Sequence, residues 1–92
     1  MATNTGVDVA ITSTEVLAAQ TKRKYCIITN DSDTVIYLAI GAAAALNSGI
    51  RLNANGGVFE LGPTDGETLA IYGIHGATGT KRVTVVSEVF YT

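Results

Sequence analysis

Apolar and polar residues alternate with a period of two in short runs along most of the chain, and turn-forming residues bound nearly every run. That period puts successive side chains on opposite faces of an extended strand. Residues 7–11, Val-Asp-Val-Ala-Ile, make the first run. Residues 23–29 make the second and stop at Asn30-Asp31-Ser32-Asp33, whose side chains can bond their own backbone. Residues 34–40 resume the alternation. Ile36, Leu38 and Ile40 fall on one face and Val35, Tyr37 and Ala39 on the other, so residues 23–40 read as a β-hairpin. Residues 49–52 and 58–61 are short strands around a loop rich in Asn and Gly, residues that tolerate positive φ. Gly62-Pro63-Thr64-Asp65-Gly66 is a strong turn signal. Residues 69–74 form another strand, 76–79 a turn, and 82–91 the longest strand. In that last strand Val83, Val85 and Val89 share one face and Val86 and Phe90 the other.

Two segments are ambiguous. Ala42-Ala43-Ala44-Ala45-Leu46 favours a helical turn by propensity, though a helix that short needs packing to hold it. Residues 15–20, Glu-Val-Leu-Ala-Ala-Gln, have helix propensity but are too few for periodicity to decide. Thirteen Thr, nine Val and eight Ile make about a third of the chain β-branched, which favours strands. The expected fold is all-β: a small antiparallel β-sandwich or flattened barrel of seven or eight short strands. Its 92 residues allow one core.

Composition narrows the function. Charged residues are 15% of the chain, against about 25% in an ordinary soluble domain. Hydrophobic residues are 47% and the mean hydropathy is +0.30. A small chain has much surface for its volume and should need more polar residues, not fewer. The imbalance points to surface covered by other chains. It excludes disorder. A net charge of −2 argues against nucleic acid as a partner. No run approaches the roughly 18 apolar residues of a membrane helix. Residues 1–10 show neither a basic region nor an apolar one of a secretory signal.

Candidate chemistry is sparse. Cys26, the single cysteine, lies in an apolar strand pattern and reads as a buried small hydrophobe. His75, the single histidine, has no neighbour that would orient it as a base or complete a metal site, so it reads as a surface or turn residue. Asp31 and Asp33 have the spacing of a calcium loop, but Val35 stands where an oxygen ligand is required. Asp65 and Glu67, with Glu60, read as a solvated acidic turn. Residues 76–81 hold two glycines and a lysine but lead into a strand, not the helix of a phosphate loop. Lys22-Arg23-Lys24, the one basic cluster, is divided between two faces by the alternation and reads as solvated or paired to a partner. No catalytic constellation, metal or cofactor is expected.

Residues 23–41 run basic, aromatic, three apolar residues, Thr, Asn, turn, apolar, Tyr, Gly. Ile50-Arg51-Leu52 follows, then Gly56-Gly57-Val58-Phe59-Glu60-Leu61, Leu69-Ala70-Ile71-Tyr72-Gly73-Ile74 and a Val-rich last strand. This style, over residues 12–92, resembles small β-sandwich virion proteins of tailed bacteriophages. The resemblance implies a structural, non-enzymatic role on the virion, assembled in the host cytoplasm. The leading expectation is a capsid decoration (cement) protein, a homotrimer that binds the major capsid protein of the assembled head. It divides the chain into an N-terminal arm (1–11) and one sandwich domain (12–92). Thr3, Asn4, Thr5, Val7, Val9 and Ile11 are the expected capsid-docking residues of that arm. Tyr37, Arg51, Phe59, Tyr72 and Tyr91 are the candidates for subunit interfaces. The alternative is a tail or head-fibre module that meets a host receptor or glycan, with Asn47, Asn53 and Asn55 beside Phe59 as its platform.

Overall fold

Each apolar run pairs with a neighbour that can cover its backbone, and the result is eight strands. The computed structural model describes residues 3–62 and 69–89. In chain order the strands are β1 (Thr3–Val9), β2 (Thr14–Leu17), β3 (Arg23–Asn30), β4 (Ile36–Ile40), β5 (Ile50–Leu52), β6 (Val58–Leu61), β7 (Ile71–His75) and β8 (Lys81–Val89). One antiparallel sheet has the order β1-β8-β3-β6 and the second β2-β7-β4-β5. Among the described residues there is no helix, and so none long and apolar enough to cross a membrane.

The two sheets bury their inner faces against each other as a β-sandwich. Val9, Cys26, Ile28, Val83 and Val85 come from the first sheet; Val16, Ile36, Leu38, Leu52 and Ile71 come from the second. Every one is at most 5% exposed. Ile40 packs at the margin of this cluster and Val89 is half-buried. Gly73 sits where three of these side chains converge. A Cβ there would lie 3.1 Å from Val16 Cγ2 and 3.4 Å from both Leu38 Cδ2 and Val9 Cγ2. The missing side chain is what lets β7 approach its neighbours so closely.

Residues 23–40 are not a hairpin. β3 pairs with β6 and β8, whereas β4 pairs with β5 and β7 in the other sheet. The turn between them arches from one layer to the other. Asn30 makes that arch possible. Its side chain is fully buried, and Nδ2 donates to Thr34 O (2.8 Å) and to Leu52 O (3.1 Å) on β5 of the opposite sheet. Ser32 Oγ donates to its Oδ1 (2.6 Å). Its main chain also donates to Gly57 O and accepts from Gly56 N, both at 2.8 Å, tying in the β5–β6 loop. Turn-forming residues between apolar runs fit a hairpin or an arch; the destination of the Asn30 amide distinguishes them.

Residues 15–20 begin as strand β2, because β7 offers a pairing edge that outweighs a weak helix propensity. Residues 42–46 form no helix and instead belong to an irregular connection from Gly41 to Gly49. Gly41, Asn47 and Gly49 adopt positive φ there (75°, 61° and 81°). The expected turn at 62–66 extends into residues 63–66, which lie outside the described residues, as do Asp65, Glu67, Phe90 and Tyr91.

Candidate functional site

The outer face of the second sheet gathers several of the expected interface residues. Strand register sets Ile74, Tyr37 and Arg51 in one cross-strand row. Glu15, Tyr72 and Ala39 form the next row. The two central strands, Ile-Tyr-Leu-Ala-Ile and Ile-Tyr-Gly-Ile-His, carry no Asp, Glu, Lys or Arg. Arg51 on β5 and Glu15 on β2 stand at the two edges of a charge-free, aromatic-rich middle.

The connection between β4 and β5 lies across this face. Gly41 N donates to Ala70 O (2.7 Å) at one end of the sheet. Ala44 N donates to Ser13 Oγ (2.9 Å), and Leu46 lies beside Gly76 past the other end of β7. Tyr37 OH donates to Asn47 Oδ1 (3.1 Å) on the way back. Ala44 is buried by this crossing, while Leu46 is 45% exposed. Residues 41–50 also contain no charge. Ile11, 55% exposed, follows Ala10, whose carbonyl accepts from His75 N (3.4 Å).

The expected arm residues are placed in the first sheet. Thr3, Asn4, Thr5, Val7 and Val9 belong to β1, which pairs with β8 over seven residues. Thr3, Asn4, Thr5, Gly6 and Asp8 are exposed, Val7 is half-buried and Val9 is in the core. Asp8 Oδ1 pairs with Arg82 Nη2 (3.1 Å), and the Arg82 guanidinium packs over Gly6. Ile11 lies outside the strand. Phe59 is partly buried against the core, so it does not share a surface with Tyr37 and Tyr72. Asn53 and Asn55 sit in the loop under the β3–β4 arch, where Asn55 N donates to Ser32 O (2.7 Å). The structure does not bring these amides and an exposed Phe59 ring into one platform.

The remaining polar candidates have structural partners. His75 is fully buried. Ala77 N donates to its Nδ1 (3.1 Å), so Nε2 carries the proton and donates to Gly79 O (2.8 Å). It is neither the surface nor the turn residue expected: it ends strand β7, and its two ring nitrogens staple the β7–β8 turn from inside. Cys26 is fully buried, and burial pushes its thiol up, against the opposing charge of Arg23. Arg23 is nearly buried. Nη2 donates to Ala18 O (2.7 Å) and Nη1 to Leu69 O (3.2 Å). It forms one wall of a cleft of about 230 Å³ that Thr3, Leu17, Ala18, Gln20 and Val89 also line. Lys24 pairs with Glu88 (3.6 Å), so the basic cluster is split as the alternation requires. Asp33 accepts from Lys81 Nζ (2.9 Å) and Thr34 Oγ1 (3.0 Å), which hold its carboxyl below the usual range. Among the described residues no group of three or more His, Cys, Asp or Glu is placed to hold a metal ion.

Sequence reasoning missed Asn30 and Arg23 as organising residues. It also missed Ile74 and the alanine-rich crossing as parts of the sheet face. Comparison of the chain with protein-family models, with curated proteins and with solved structures finds no match.

Proposed function

We propose that this chain is a structural protein of a tailed-phage particle, a decoration protein that binds the assembled head through the outer face of the β2-β7-β4-β5 sheet. The observation that carries the reading is the charge-free surface that the middle of that sheet makes together with the 41–49 connection lying across it: Tyr37, Tyr72 and Ile74 are half-buried, Leu46 and Ile11 are exposed, and Arg51 and Glu15 stand at the edges. Surface depleted of charge and rich in aromatic residues suits the buried centre of a protein interface. The sequence resemblance to small virion proteins supplies the class of partner.

The amount of surface fits this reading. The folded chain exposes 5033 Å², close to the roughly 5,000 Å² of an ordinary monomer of its mass. Only eleven apolar residues among those described are buried, nine of them fully. The apolar excess is therefore not absorbed by an unusually large core. Burial against other chains gives it a use.

The mechanism is thermodynamic. A protein that binds the assembled shell, and not its separated subunits, stabilises assembly by linkage. The gain is about 2.7 kcal/mol per site when free protein is at 100 times its dissociation constant. The test is cosedimentation of purified protein with heads assembled without it. Saturable binding that Ala39→Glu abolishes, with the sandwich still folded, is expected. Failure to bind heads, or equal binding to unassembled capsid subunits, overturns the reading. The receptor or glycan alternative has less behind it, because Phe59 packs inward.

A further inference from the structure

Four strands lie at sheet edges: β1 and β6 in one sheet, β2 and β5 in the other. Three of them are short or irregular. β5 has three residues, β6 has four with Glu60 exposed, and β2 has four with a register shift between Glu15 and Leu17. Short, charged or bulged edges discourage pairing with another chain. β1 differs from all three. It has seven residues, no proline, an unbroken register with β8 and a single charge. That charge, Asp8, is paired to Arg82 on the neighbouring strand. One side of β1 is bonded to β8, and among the described residues no strand borders the other.

The sequence of β1 is also complementary to itself. Two copies running antiparallel about a two-fold axis at Gly6 align all seven residues. Thr3 then faces Val9, Asn4 faces Asp8 and Thr5 faces Val7. Each aligned pair shares a sheet face, since the partners are an even number of residues apart. On the outer face, the Asn4 amide of one copy can donate to the Asp8 carboxylate of the other. The two Asp8 side chains do not meet. At the axis Gly6 faces Gly6, which leaves room for the Arg82 guanidinium that each copy already lays over its own glycine. Each guanidinium brings its own Asp8 carboxylate as counter-charge. Registers centred on Thr5 or Val7 lose two of the seven pairs and the Asn4–Asp8 match.

We infer that the free edge of β1 pairs with β1 of a second copy of this chain, joining two four-stranded sheets into one continuous eight-stranded sheet. The occupant is a second copy because this register sets the Asn4 amide against the Asp8 carboxylate on both sides of the axis, keeps the two Asp8 carboxylates apart and places Gly6 against Gly6 where the Arg82 side chains need room. The contact is isologous and closes at two subunits. It therefore builds a dimer, not the trimer that the sequence resemblance implies. Strand pairing alone covers less than a standard interface, so association depends on concentration in the accessible range. The inference does not rest on the head-binding reading, which uses the other sheet, and each can fail alone.

Sedimentation velocity of the full chain over a concentration series tests it, together with Asn4→Asp and the double variant Asn4→Asp/Asp8→Asn. The wild type is expected to pass from monomer to dimer. Asn4→Asp sets two carboxylates against each other twice per dimer and should raise the dissociation constant about tenfold or more. The double variant restores the carboxylate–amide pair and should recover most of the loss. Asn4 is exposed, and an unchanged thermal melt of dilute Asn4→Asp protein separates lost pairing from lost folding. A monomer at every concentration, a trimer, or a dimer indifferent to Asn4→Asp overturns the inference.

Discussion

Asn30 joins the arch, β5 of the opposite sheet and, through its main chain, the β5–β6 loop. Asn30→Ala leaves the carbonyls of Thr34 and Leu52 without their amide donor. The expected loss is about 2–4 kcal/mol, read as a lower urea midpoint with an unchanged slope. Gly73→Ala forces a methyl against Val16, Leu38 and Val9 and should cost about 1–3 kcal/mol in the same assay. Cys26 makes a pH prediction. Its folded pKa is raised, so the thiol stays protonated where the unfolded chain ionises. Its contribution is complete below the ordinary thiol range and is lost as pH rises through that range toward the folded value. The alkaline fall in urea midpoint should be shallower in Cys26→Ala than in wild type, and thiol reagents should label wild type only as fast as it unfolds. Burial of Cys26 was legible from its apolar neighbours. The roles of Asn30 and Arg23 were not, because a turn-forming amide and a strand-leading arginine look the same whether they face water or the interior.

Among the elements, β1 was the hardest to read. The Thr-Asn-Thr-Gly stretch before Val7 has no apolar alternation, so only its pairing with β8 identifies it as strand. Val9 then carries the strand end into the core. Deleting residues 1–9 should therefore lower the melting temperature and expose the β8 edge, with aggregation on heating as the second readout. Unchanged melting of the shortened chain would contradict that role. By contrast, β3, β4 and β8 were legible from the positions of Ile28, Ile36, Leu38, Val83 and Val85, since alternation with one buried face is what a sandwich strand requires. Which strands pair was not legible, because a run's pattern reports its faces and not its neighbours. The 42–46 segment shows the limit of propensity: five residues cannot offset helix nucleation, and of its four alanines only Ala44 is buried. Lys81 fastens the arch to β8 through Asp33. Acid should weaken that tie only as Asp33 protonates, below the usual carboxylate range, and Asp33→Asn should flatten the acid side of the stability profile slightly.

The whole molecule is a slab of 41 × 22 × 17 Å with broad faces and one long regular edge. Three ion pairs among the described residues, Asp8–Arg82, Lys24–Glu88 and Asp33–Lys81, belong to the first sheet and the arch. The middle of the second sheet has no charged residue. The low charge was readable in the sequence, but where on the molecule it would fall was not, because that depends on which strands come to lie together. Tyr37, Tyr72 and Arg51 converge through pairing between strands distant in sequence. Under the proposed function, the second sheet meets the phage head while the β1 edge joins a second copy. Scanning calorimetry of heads assembled without this chain, titrated with the purified protein, tests that claim most directly. The account predicts that head melting rises with protein concentration until sites saturate, and that Ala39→Glu removes the rise. Head melting that stays constant at every protein concentration would contradict it.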